Sequence, residues 1–207
     1  MGSSVALILC GGIHPAAYTA QILAAIATDQ RLRHLPVVTC SPSGALACLS
    51  AQALRHSIDR ALPTMGWGDR DYPQVIIWAY SAGCVGAVAL ANYWHHSRNR
   101  VLALFLVDGW GVPWHHSVPL HRLSHDRFTA ITSGWLGRGQ VDFVATPGVP
   151  HHRLWQAPQM VMGQAYPHPR AAAAWPQDVP PLGSPISAAD FLCGWSHYYL
   201  TTVGWKP

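Results

Sequence analysis

Twenty consecutive residues, Val75 to Trp94, carry no charge, and any fold for this chain must bury or insert them. About twenty apolar residues suffice to cross a bilayer as one helix. This run does not read as one helix. It opens on Val-Ile-Ile-Trp-Ala-Tyr, breaks at Ser81-Ala82-Gly83, and resumes as an Ala-rich stretch. A buried strand, a tight turn and a buried helix account for that order, so no transmembrane span is expected.

Other short aliphatic or β-branched runs repeat the theme, each bounded by turn residues. They are Val5–Cys10, Leu35–Cys40, Gln74–Tyr80, Val101–Asp108, Arg127–Thr132 and Val141–Thr146. Most are continuously hydrophobic, as parallel strands covered on both faces must be. Helical stretches lie between the first four, at Ala16–Ala27, Gly44–Leu62 and Gly83–His95. The alternation predicts a three-layer α/β fold around a mostly parallel, doubly wound sheet of about six strands.

Gly109 to Arg127 reads as an irregular excursion, with Pro113, Pro119 and several histidines. Tyr166 to Pro185 is Pro-rich and reads as a long surface loop. Ser187-Ala-Ala-Asp190 has the form of a helix cap and predicts a last helix to about Thr202. The 207 residues fit one domain, with 156–207 as a loop and helix packed on the core.

Only 11% of residues are charged, against about 25% in an average soluble protein. The net charge of +4 comes from scattered arginines without a basic run, which argues against nucleic-acid binding. Five cysteines at 10, 40, 48, 84 and 193 form no CxxC pair. With no leader pattern, that odd count points to a reducing compartment, and a cytoplasmic location is expected. Ten tryptophans exceed what a core demands, although Trp78, Trp94 and Trp195 sit where packing suffices. The surplus leaves room for a protein partner or a membrane-surface contact.

The sharpest chemical signal is Gln74-Val-Ile-Ile-Trp-Ala-Tyr-Ser-Ala-Gly-Cys-Val-Gly86. A serine thrust out between a strand and a helix sits on a strained turn and needs small neighbours, here Ala79 and Gly83. The helix start would also aim backbone N–H groups at whatever the serine holds. On this motif and the element order, Val5 to Trp155 resembles the α/β-hydrolases. The form is a small one, whose first strand corresponds to the family's third. Ala79 stands where the family most often has Gly.

The resemblance implies further parts. Ala82 and the Cys10-Gly-Gly-Ile-His-Pro15 loop would supply an oxyanion hole, with the N–H of Ile13 or Gly12 as second donor; the glycine pair also suits a plain turn. The base would follow the last strand, as His151 or alternatively His152. Asp108, ending a strand, would be the acid. Asp126 lies before the next run, and Asp142 opens the last one at the wrong end of the sheet. His115, His116, His121, His125 and Asp126 lack the regular spacing of a zinc site, and no metal is expected. The implied function is hydrolysis of a small, apolar-leaning carboxylic ester or thioester by Ser81, His151 and Asp108, without a cofactor. The alternative is a catalytically silent binding or assembly protein on the same fold.

Overall fold

The computed structural model describes residues 4–40, 46–68, 71–114, 117–168 and 175–205. The strands are β1 (Val5–Cys10), β2 (Val37–Cys40), β3 (Gln74–Tyr80), β4 (Val101–Val107), β5 (Leu120–Ser124), β6 (Val141–Ala145), β7 (Met162–Pro167) and β8 (Ile186–Ser187). The helices are α1 (Ala16–Thr28), α2 (Ala51–Ala61), α3 (Gly83–Ser97), α4 (Arg127–Gly134), α5 (Arg153–Gln156) and α6 (Ala188–Thr202). One sheet runs in the order β2-β1-β3-β4-β5-β6-β7-β8. Its first six members are parallel, and β7 and β8 are added antiparallel at the end.

Two apolar clusters sandwich the sheet, which makes the fold three-layered. Leu7, Leu9, Ile76, Trp78 and Tyr80 pack with Ile22 and Ile26 of α1 and Phe191 and Trp195 of α6. Their strand neighbours Ile8, Cys10, Ile77 and Ala79 pack with Leu54 and Ile58 of α2 and Leu90 and Trp94 of α3. Successive side chains point to opposite faces, so both must be apolar when both faces are covered. This is why β1, β3 and β4 are unbroken hydrophobic runs. The uncharged Val75–Trp94 segment is β3, the turn and most of α3. Among the described residues no helix is long and apolar enough to cross a membrane.

Several expectations need correction. Arg127–Thr132 is not a strand but the body of α4, because the Asp126 carboxylate caps the helix by accepting the Thr129 N–H at 2.7 Å. The strand it displaces is β5, inside the stretch expected to be irregular. The sheet has eight strands rather than about six, since β7 and β8 arise from Pro-rich chain, and Tyr166 and Pro167 belong to β7 rather than to a loop. The helix expected over Gly44–Leu62 is a short 3₁₀ turn at Ala47–Leu49, then α2 capped by Ser50, then another 3₁₀ turn; Gly44 lies outside the described residues. The Ser187 cap forms, with its Oγ accepting the Asp190 N–H at 3.0 Å, and α6 ends at Thr202.

Candidate active site

The parallel strands deliver their carboxyl ends to one edge of the sheet, where α/β folds place their sites. Ser81 stands there between β3 and α3 with φ 51°, in the left-handed region that costs an L-residue energy. Its N–H donates to the Val107 carbonyl at 2.9 Å, which ties the turn to the next strand. Two glycines permit the arrangement. A Cβ on Gly83 would strike the carbonyl oxygens of Cys10 and Gly11. One on Gly12 would come within 2.7 Å of the Tyr80 oxygen and 3.0 Å of the Ser81 Cβ.

Asp108 follows β4 at the same edge, also left-handed at φ 53°, with its N–H donating to the Leu123 carbonyl at 2.7 Å. Its carboxylate is buried. His151 comes from the turn between β6 and α5. Its Nδ1 lies 2.9 Å from Asp108 Oδ2, and its Nε2 lies 3.0 Å from Ser81 Oγ. The structure thus brings Ser81, His151 and Asp108 into one hydrogen-bonded chain. His151–His152 is a turn entering α5, not extended chain, because the His152 carbonyl already accepts the Gln156 N–H. His152 stacks instead on Tyr18, with ring centroids 6.0 Å apart. Asp126 does stand beyond β5, one strand later than Asp108, but one of its oxygens caps α4.

The loop after β1 lies against this turn. The site of a Cβ on Gly12 is 3.3 Å from the Ala82 nitrogen, and the Ile13 side chain is exposed beside it. Among the described residues, the N–H groups of Ala82, Gly12 and Ile13 donate to no backbone carbonyl.

Two participants escaped the sequence reading. Tyr80, the residue before the serine, stacks on His151 at 5.1 Å and on the buried Trp155 at 5.2 Å, and its hydroxyl donates to the His151 carbonyl at 3.3 Å. Burial pushes that phenol well above its usual range, so it stays a neutral donor. Its signal was available: an aromatic in the elbow's variable position can only lie beside the serine. The other is His125, whose N–H and Nδ1 approach Asp108 Oδ1 at 2.8 and 3.1 Å. Its hydrogen bond to that carboxylate raises the His125 pKa above the ordinary value. The sequence marks it only as one of the histidines weighed for a metal site, because β5 itself was not recognised.

Of the residues weighed for a metal site, His125 and Asp126 stand together, with Nε2 3.5 Å from Oδ2. His121 is fully buried, its Nδ1 2.7 Å from the Val141 carbonyl and its Nε2 2.9 Å from the Tyr199 hydroxyl. His115 and His116 lie outside the described residues. Among the described residues, Asp108, His125 and His151 offer three ligand-type atoms within 4.8 Å of one another, and the Nδ1 of each imidazole also faces one oxygen of Asp108. Trp78, Trp94, Trp155 and Trp195 are fully buried, whereas Trp110 and Trp135 are largely exposed.

No family model and no curated protein matches this chain. Similar solved structures include a cutinase-like protein from Cryptococcus sp., 18% identical with a TM-score of 0.35, over 52% of this chain and 56% of that one. Another is a YdeN-like hydrolase from Pectobacterium atrosepticum, 14% identical with a TM-score of 0.38, over 61% of this chain and 66% of that one. The chain therefore spans less than two-thirds of the length of either.

Proposed function

We propose that the protein is a serine hydrolase of the α/β-hydrolase type, acting on carboxylic esters or thioesters. The observation that carries this reading is the chain Ser81 Oγ–His151 Nε2, His151 Nδ1–Asp108 Oδ2, at 3.0 and 2.9 Å. The Ser81 hydroxyl donates its proton to His151 as the oxygen attacks the substrate carbonyl. Asp108 accepts the Nδ1–H, holding the tautomer that leaves Nε2 free, and stabilises the imidazolium that forms. The N–H groups of Ala82 and Ile13 bind the oxyanion, and His151 then returns its proton to the leaving alkoxide or thiolate. A water activated by the same imidazole completes the cycle on the acyl-serine.

An apolar-leaning substrate suits this edge. Ile13, Val85 in the first turn of α3, and Trp110 just after Asp108 are apolar and exposed at this edge. A panel of p-nitrophenyl esters and acyl thioesters of two to eight carbons tests the reading. Turnover that Ser81→Ala abolishes supports it. A folded protein inert to the whole panel would favour the silent binding protein instead.

A further inference from the structure

The mechanism above uses one oxygen of Asp108, yet the structure holds both. Oδ2 faces His151, while Oδ1 accepts the backbone N–H of His125 at 2.8 Å and faces its Nδ1 at 3.1 Å. Two imidazoles, with ring centroids 5.7 Å apart, therefore share one buried carboxylate. The carbonyl of His125 is tied down as well, accepting the Val149 N–H at 2.9 Å from the segment that carries His151. His125 thus ties Asp108, through its backbone N–H, to the segment that carries His151, through its carbonyl.

We propose that His125 is a positioning residue of the site, pinning Oδ1 of Asp108 so that Oδ2 stays on His151. The effect on rate rests on the hydrolase reading; the effect on the hydrogen bond between Asp108 and His151 does not. Three titratable groups face the His125 ring: Asp108 from the end of β4, Asp126 before α4 with Oδ2 3.5 Å from Nε2, and His151 from the turn after β6. The hydrogen bond to Asp108 makes His125 hold its proton more tightly than usual, and Asp126 adds to this. Without the His125 side chain, Oδ1 keeps the backbone N–H alone, and the carboxylate holds His151 less firmly through Oδ2.

The test compares wild type with His125→Asn, whose side-chain N–H can stand in for Nδ1–H without charge, and with His125→Ala. The low-field proton NMR resonance of the His151 Nδ1–H reads its bond to Asp108 whether or not Ser81 reacts. The rate of fluorophosphonate labelling reads the consequence. Alanine should shift that resonance upfield and lower the labelling rate at pH 8 by about tenfold, and asparagine should restore most of both. An unmoved resonance in folded His125→Ala overturns the proposal. A moved resonance supports it even if no protein is labelled, and that second result alone sinks the hydrolase reading.

Discussion

His121→Phe should change how stability responds to acid, and the size of the change follows from two buried groups. His121 lies in β5 with no exposure, stacked on Phe105 at 4.8 Å and tilted against Trp195 at 4.9 Å. Burial pushes its pKa down from the usual 6.5 to about 4. The unfolded chain takes up the proton first as pH falls through that window, so His121 costs the fold about 3 kcal/mol between pH 6.5 and 4. Asp142 works in the opposite sense. Burial raises its pKa from 3.8 to about 6, and the folded state takes up that proton first. Acidification over the same window therefore returns about 2–3 kcal/mol. The two contributions nearly cancel in the wild type. Phenylalanine fills the same stack and removes only the first. Urea unfolding followed by tryptophan fluorescence at pH 7 and pH 4 measures the difference. Relative to wild type, the variant should gain about 3 kcal/mol on going from pH 7 to pH 4, whatever it loses at both from the bonds to Val141 and Tyr199. Shifts from other carboxylates drop out of the comparison. Parallel pH profiles, within about 1 kcal/mol, would refute a buried neutral His121.

His151→Ala should cost about 10³-fold or more in the rate of fluorophosphonate labelling, while His152→Ala, which disturbs only the stack on Tyr18, stays within about a few-fold. The reverse pattern would move the base by one residue. Gly12→Ala should lower that labelling rate at least about tenfold with unchanged far-UV circular dichroism, since the new Cβ would press the Tyr80 carbonyl and the serine itself. Wild-type labelling by Gly12→Ala would show that this loop does not shape the site.

What the sequence made legible depended on where each residue's partners came from. Val5–Cys10 and Gln74–Tyr80 are strands at the expected bounds because their hydrophobicity is continuous and local. β5 was illegible for the opposite reason. Leu-His-Arg-Leu-Ser reads as surface, yet all five residues are buried. His121 is satisfied by Val141 and Tyr199, and the Arg122 guanidinium donates to the carbonyls of Gly137 at 2.7 Å and Val112 at 2.8 Å. None of these partners is near in sequence. With β5 hidden, the β-branched Arg127–Thr132 reads as the strand in its place, although Asp126 caps a helix there. Ser81 was readable from its turn alone, whereas His125 depended on the unseen strand that ends beside Asp108.

Whether Ser81 is an activated nucleophile decides what this site does. Reaction of the purified protein with a fluorophosphonate, followed by intact-mass and peptide mass spectrometry, measures this directly. The geometry predicts one adduct per chain, mapped to Ser81 and absent from folded Ser81→Ala. A folded wild type that stays unmodified over hours, or an adduct that maps to another residue, would contradict it.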